Sequence, residues 1–366
     1  MEKLGIGIIG CGNISSAYLK AMASFPILDI RGIADLNRSL AEQRAAEFNL
    51  EAREVAELLA DPSVELIVNL TVPKAHAAVA MQALEAGKHT YSEKPLATEF
   101  ADGRKLVVLA RQKGLRIGAA PDTFLGGSHQ TARAIVDAGA LGTPVGGTAA
   151  FMCPGHERWH PNPDFYYEVG GGPMLDMGPY YITQLVNLFG PVAKVAGFAI
   201  AARKERTITS AARNGERIPV HVPTHVTGVM AFENGAVVQI GMSFDVAGHK
   251  HLPLELYGTE GTLIVPDPNH FGGQIELLKK GGAFEPLPTT EPYADGNYRS
   301  LGVADMAHAI RSGRPHRASG DLALHVLEVM DAFHKAAETG TTISITTKTE
   351  RPAPLSESLV DGRIGR

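Results

Sequence analysis

A short apolar run, Leu4 to Ile9, leads directly into Gly10-Cys11-Gly12-Asn13-Ile14-Ser15. That turn has the residue types needed to hold a pyrophosphate. Gly10 allows a tight bend, Gly12 lets the backbone approach the anion, and Ser15 is small enough for a helix to pack closely on the sheet. The amides of Asn13 and Ile14 then open a helix whose positive end faces the phosphates. An overlapping match, Gly5-x-Gly7-x-x-Gly10, lies inside the apolar run and would start the helix too early. A second apolar run ends at Asp35, about twenty residues after the turn, where a carboxylate accepts the hydroxyls of an adenosine ribose. The same carboxylate repels a 2′-phosphate, so NAD is expected over NADP, although Arg38 is close enough in sequence to hold that phosphate.

Other groups suggest chemistry further along the chain. His156-Glu157-Arg158-Trp159-His160 is a literal H-E-x-x-H. Zinc binding by that motif needs both imidazoles on one helix face, yet Pro154-Gly155 precede it and Pro161 follows, so no metal is expected. The same stretch, with Trp159, His160 and Tyr166 in a proline-rich setting, has flat apolar faces with polar tips suited to a sugar ring. Those aromatics would equally pin a loop to its own domain. Asp122 is placed either to bond a substrate hydroxyl or to cap the following segment. Asp176 precedes Pro179, which has no amide hydrogen, and this suggests Asp176 as a helix N-cap with Pro179 in the first turn.

The elements that must position these groups follow from pattern. Up to about residue 121, strand-like runs at 4–9, 28–34, 66–70, 89–91 and 115–118 alternate with helical stretches at 39–48 and 74–86, which predicts βαβ units and a parallel sheet. Beyond it, helices are expected at 128–138, 180–189, 303–312 and 321–339. Strands at 193–201, 226–233, 236–244, 252–257 and 261–265 predict a mostly antiparallel sheet. Asn234-Gly235 predicts a type I′ hairpin turn, and 351–366 reads as a polar tail. The fold class is therefore α/β, with a Rossmann domain over 1–121 and an open-sheet α+β domain over 122–366.

Composition limits the function. The 366 residues have Lys plus Arg 34 against Asp plus Glu 39, a formal net charge of −5 and no basic run. Nucleic acid and anionic membrane surfaces are disfavoured as partners. Cys11 and Cys153 cannot build a disulfide framework. No apolar run approaches a membrane span, and the N-terminal run is too short for a signal peptide, so a reducing cytoplasm is the expected location.

Leu70-Thr71-Val72-Pro73-Lys74-Ala75-His76, Gly87 to Leu96 with its Glu93-Lys94-Pro95, and Gly170 to Gly178 together resemble the glucose-fructose oxidoreductase, inositol dehydrogenase and rhizopine-catabolism (Gfo/Idh/MocA) family along essentially the whole chain. The resemblance implies an NAD(P)-dependent oxidoreductase acting on a hydroxyl of a sugar, sugar derivative or cyclitol, assembled as a homodimer or homotetramer through the C-terminal sheet. It places Lys94 beside the nicotinamide and the reacting hydroxyl, and Thr71, Pro73, His76 and Glu93 around the cofactor. The family usually has Asp and His four residues apart after the glycine run, whereas here Asp176 is followed by Tyr180. A phenol must be activated to accept a proton, and Lys94 is the group expected to do so. An ammonium partly withdrawn from water is itself expected to have a lowered pKa, so Lys94 and Tyr180 both stand as proton acceptors. Two other classes fit the scaffold: a lyase or glycosidase that oxidises a ring carbon transiently, and a non-catalytic regulator sensing NAD or sugar.

Overall fold

The computed structural model describes residues 2–355. Its N-terminal part is built in the order β1 (Leu4–Ile9), α1 (Asn13–Met22), β2 (Leu28–Ala34), α2 (Arg38–Phe48), α3 (Val55–Ala60), β3 (Leu66–Asn69), α4 (Pro73–Glu85), β4 (His89–Ser92), α5 (Phe100–Gln112) and β5 (Ile117–Ala119). The strands form one parallel sheet in the order β2-β1-β3-β4-β5. Every residue of β1 and β3 is buried, as expected when helices cover both faces of a parallel sheet. The order reverses beside β1, so the ends of β1 and β3 form the crevice in which such sheets bind ligands. Gly10, at φ +105°, sits in that crevice. A Cβ there would lie 2.5 Å from the carbonyl carbon of Leu70, so the two loops meet only because the residue is glycine.

The chain continues through α6 (Gly127–Asp137), β6 (Pro144–Met152), α7 (Pro173–Phe189), β7 (Val192–Ile200), β8 (Glu205–Thr207), β9 (Arg217–Pro219), β10 (His225–Phe232), β11 (Val237–Ser243), β12 (Leu254–Gly258), β13 (Gly261–Val265), β14 (Ile275–Lys279), β15 (Phe284–Leu287), α8 (Leu301–Ser312), α9 (Gly320–Thr339) and β16 (Ile343–Ser344). Nine strands make a second sheet, β15-β14-β13-β12-β6-β11-β10-β7-β16, antiparallel except where β6 runs parallel to β11. Helices α7 and α9 pack on its inner face, where Val195, Met230, Val238 and Ile240 join the core. On the other face Phe198, Ile200, Val229 and Val237 are exposed. Helices α8 and α9 then return to the first sheet, with Ala119 N donating to Ala318 O and Arg111 paired with Asp321.

The structure adds α3, α5, β8, β9, β14, β15 and β16 to the elements expected from the sequence and departs from it in four further places. Strand β6, at the centre of the second sheet, shows no alternation because Gly146 and Gly147 must admit β11 and β12. A Cβ on Gly146 would lie 2.0 Å from Val237 O. Helix α7 begins at Pro173 rather than Tyr180, so Asp176 is in its fourth position and not at the N-cap, which is Gly172; Pro179 lies inside the helix. The 232–236 connection is a hairpin, but only Gly235 has positive φ (+92°), and Phe232 N donates to Ala236 O across a three-residue loop. Residues 351–355 are no free tail: Arg133 donates to Pro352 O, Arg317 to Pro354 O, and Leu355 N to Gln130. The remainder of that predicted tail lies outside the described residues. Among the described residues no helix is long and apolar enough to cross a membrane.

Buried imidazoles tie stability to pH. His129 on α6 is fully buried with Nε2 on the His270 carbonyl (2.8 Å), and burial lowers its pKa to about 4. A base whose folded pKa is depressed stabilises the fold above its unfolded pKa of about 6.5, and that contribution is lost as pH falls towards 4. Between pH 7.5 and 5.0, urea unfolding should therefore show a stability loss about 2 kcal/mol larger in the native protein than in His129→Gln. Equal losses would show that His129 is not held neutral.

Candidate active site

A cavity of about 390 Å³ opens between the two sheets. The end of β4 contributes Glu93, Lys94 and Pro95, and the β3–α4 turn contributes Thr71, Pro73 and His76. Ile14 of α1, Asp176 and Tyr180 of α7, and the 156–171 loop complete it, under Asn269 and Arg299. Lys74 at the start of α4 pairs with Glu168 of that loop.

Lys94 lines the cavity with its charged end. Its Nζ donates to Asp176 Oδ1 and to the Asp176 carbonyl, both at 2.7 Å, and lies 5.1 Å from the centroid of the Tyr180 ring. Burial alone would depress the Lys94 pKa, but the Asp176 carboxylate and neighbouring Tyr180 and Glu93 outweigh it and raise it above the ordinary range. This is the reverse of the lowered value expected from the sequence: the pair favours the ammonium form of Lys94. Asp176 is correspondingly held well below the usual carboxylate range, because Lys94 and His156 outweigh its burial. Tyr180 is buried, which raises its pKa; the Lys94 and Arg299 cations offset only part of that.

Around this pair, polar groups fix the backbone. Glu93 accepts the Tyr18 hydroxyl (2.7 Å) and the Lys94 amide (3.0 Å). His76 places Nδ1 on Pro95 O (2.7 Å) and Nε2 on Thr71 O (3.0 Å), and burial lowers its pKa despite those carbonyls. A neutral ring has one N–H and so donates to one of these carbonyls at a time, but both nitrogens face the protein, so His76 shapes the cavity wall. Buried Asn69 binds His76 O, Ser92 Oγ and Thr71, tying the β3–α4 turn, the first turn of α4 and the end of β4 together.

The expected substrate residues divide. Tyr166 lines the cavity and Trp159 stands at its rim, 56% exposed. His160 does not line it; its ring lies edge-on to Phe165 and Tyr166, and Nδ1 accepts from Asn162 N. Asp122 is also elsewhere. It is 1% exposed and accepts the amides of Ser300 (3.0 Å) and Gly302 (2.9 Å) at the start of α8, while burial pushes it up to about 6. It caps a helix far along the chain, and it fixes Ser300 at φ +124°, next to Arg299. Sequence reading missed Arg299 and Asn269, which sit in turns without any motif, and it treated His156 only as half of a false zinc site.

That motif comes apart in space. His156 Nε2 meets Asp176 Oδ2 at 3.1 Å, whereas Glu157 is paired with Arg206 (2.8 Å) and accepts the Tyr167 hydroxyl. The three side chains share no point, and among the described residues no group of three metal-ligating side chains converges.

The crevice at the end of β1 fits a dinucleotide. Gly12 has φ −66°, which any residue adopts, and a Cβ there would meet nothing within 4 Å, so its missing side chain leaves room for a ligand. No side chain caps α1, whose first amides, at Asn13 and Ile14, are left for an anion. Asp35 accepts Cys11 N and Asn37 N, both at 2.8 Å, which fixes its carboxylate at the edge of the crevice beside fully exposed Leu36. Arg38 does not reach it: its guanidinium is held by Glu42 (2.9 Å) and Glu54 (3.0 Å). Arg44, one turn and a half further on, brings Nη2 to 3.4 Å from Gly12 O.

Residues 4–120 match the model described as an oxidoreductase family with an NAD-binding Rossmann fold, and 129–264 match the GFO/IDH/MocA C-terminal domain. A dTDP-3,4-didehydro-2,6-dideoxy-alpha-D-glucose 3-reductase from Saccharopolyspora spinosa is 28% identical over 92% of this chain and 98% of its own. A 1,5-anhydro-D-fructose reductase from Ensifer adhaerens is 27% identical over 80% and 83%. Levoglucosan dehydrogenase, solved with NADH and L-sorbose, shares the fold at a TM-score of 0.83 and 22% identity, over 94% of this chain and 99% of that one.

Glu157→Gln removes one of the two carboxylates that pair with buried Arg206 and leaves Asp245 in place, so it should destabilise the fold by about 2 kcal/mol, the order of a hydrogen bond to a charged group. Added zinc should restore none of it in thermal unfolding; recovery with zinc would return the motif to metal binding.

Proposed function

The chain belongs to the Gfo/Idh/MocA family of NAD-binding oxidoreductases, and we propose that it moves a hydride between a nicotinamide and a hydroxyl-bearing carbon of an uncharged sugar, sugar derivative or cyclitol. The observation behind this reading is the Lys94–Asp176 pair under Tyr180 in a cavity beside the dinucleotide crevice. The charged groups lining the cavity are Glu93 and Asp176 against Lys94 and Arg299, so their formal charges cancel. A neutral polyol gains there from directional hydrogen bonds and from the aromatic faces of Trp159 and Tyr166, whereas an anion finds no uncompensated cation. The name of the anhydrofructose reductase agrees with this choice, whereas the dTDP-sugar of the 3-reductase carries a charged diphosphate besides its sugar ring.

In this reading residues 1–121 hold the cofactor, and residues 122–366 hold the substrate and a second copy of the chain. Gly10, Gly12, Asn13 and Ile14 receive the pyrophosphate, Asp35 the adenosine ribose, and Thr71, Pro73, His76 and Glu93 shape the nicotinamide end. NAD is preferred over NADP because Asp35 presents a carboxylate where a 2′-phosphate would lie, while Arg38 is already paired. The exposed apolar face of Phe198, Ile200, Val229 and Val237 forms the homo-oligomer interface.

Bound nicotinamide supplies or accepts the hydride at C4. The protein's part is to hold and protonate the substrate oxygen. Lys94 Nζ spends two of its three hydrogens on Asp176 and has one left for that oxygen. Tyr180, neutral at pH 7, gives its proton to the oxygen as a carbonyl is reduced, and its phenolate takes the proton back during oxidation. Oxidation should therefore speed up as pH rises towards the raised pKa of Tyr180, and reduction should slow.

Asp35→Ser should narrow the difference between NADH and NADPH affinities measured by fluorescence titration. Equal affinities in the native protein would remove the assigned role of Asp35. In a screen of polyols and sugars for NADH fluorescence, Tyr180→Phe should lower turnover by about 10²–10⁴-fold with cofactor binding retained. Tyr181→Phe, whose hydroxyl points instead to Asp267, should change little. Near-native turnover of Tyr180→Phe would move proton transfer to another group.

A further inference from the structure

His156 is buried at the site, yet neither metal binding nor the proton transfer above uses it. We propose that His156 is a positioning residue that fixes the Asp176 carboxylate, and through it the Lys94 ammonium, from the loop bearing Trp159. The inference rests on taking the cavity at Lys94 as the reaction site.

Hydrogen-bond polarity determines the arrangement. Indole Nε1–H can only donate, and that of Trp159 points at His156 Nδ1 at 3.2 Å. Nδ1 must then accept, so a neutral ring has its hydrogen on Nε2, which is 3.1 Å from Asp176 Oδ2. Oδ2 is thereby occupied, and Oδ1 alone faces Lys94 Nζ at 2.7 Å. With His156 absent, the carboxylate could turn and take a further lysine hydrogen, the one left for substrate.

The histidine is itself held from three sides. Its ring lies edge-on to Tyr166 and tilted against Phe244, with centroids 4.6 Å away in each case. Its own amide donates to the Tyr167 hydroxyl at 3.2 Å. The next residue, Glu157, is anchored by Arg206, which also donates to Pro154 O and Phe244 O. A rim aromatic is thus joined to the reacting ammonium by three consecutive hydrogen bonds, Trp159 to His156 to Asp176 to Lys94.

Trp159 is the only tryptophan in the chain, so protein labelled with ¹⁵N-tryptophan has one indole N–H signal. In the full-length native protein that hydrogen should be protected from exchange. His156→Phe keeps a ring between Tyr166 and Phe244 but removes both hydrogen bonds, and should speed exchange about fivefold. The decisive variant is Asp176→Asn, which does not touch Trp159. It should shift the indole signal and speed its exchange when His156 is present, and do neither in a His156→Phe background. An unshifted signal in Asp176→Asn, or the same shift in both backgrounds, overturns the proposal. Should Asp176→Asn fail to fold because Lys94 is left unmatched, Lys94→Met with Asp176→Asn removes both charges and is judged by the same two outcomes. No substrate is required, so failure of the polyol screen would count against the proposed function alone.

Discussion

The buried ion pair between Lys94 and Asp176 is the constraint on which the site depends. Lys94 belongs to the end of β4 and Asp176 to the first turns of α7, so one pair of charges joins the parallel sheet to the second domain. Neither partner is tolerable alone at that depth, because an unmatched charge withdrawn from water costs several kcal/mol. The surroundings are polar in consequence. Glu93 holds the Lys94 amide, His156 takes the other Asp176 oxygen, and the Asp176 carbonyl accepts a second lysine hydrogen. Pairing also favours the charged ammonium, which has hydrogens to donate and no lone pair to accept with.

A second set of contacts holds the roof. Asp122 follows the last strand of the first sheet and grips the amides of Ser300 and Gly302, while Ser300 Oγ donates to Tyr18 O. Tyr18 in turn donates to Glu93, so the start of α8 is tied to the residue preceding Lys94. The strained φ of Ser300 is maintained by these bonds and turns the chain so that Arg299 enters the cavity near Tyr180. A buried carboxylate outside the cavity lining thus helps to set the electrostatics of the phenol.

How much of this was legible follows from the range of the interactions. The glycine turn, Asp35 and the buried strands are local patterns, read over a few residues or one βαβ unit, and the structure has them where the spacing predicts. Strand β6 was not legible, since Gly146 and Gly147 answer to neighbours about 90 and 110 residues away and leave no alternation. Nor was Arg299, whose place depends on Asp122. The Lys94 pKa was misjudged in sign because burial was visible from the sequence and its partner's position was not.

The H-E-x-x-H segment shows the limit of motif reading most directly. Its spacing is meaningful only on a helix, where residues four apart share a face. Here Gly155 has φ +106° and the five residues make an irregular turn, so each side chain takes its own direction: His156 to Asp176, Glu157 to Arg206, Trp159 to the rim, His160 to the rings of Phe165 and Tyr166. The prolines that argued against zinc argued equally for a rigid loop, and such a loop can deliver an imidazole to a carboxylate on another element. What the sequence withheld was the identity of that carboxylate, which depends on how α7 is set against the turn.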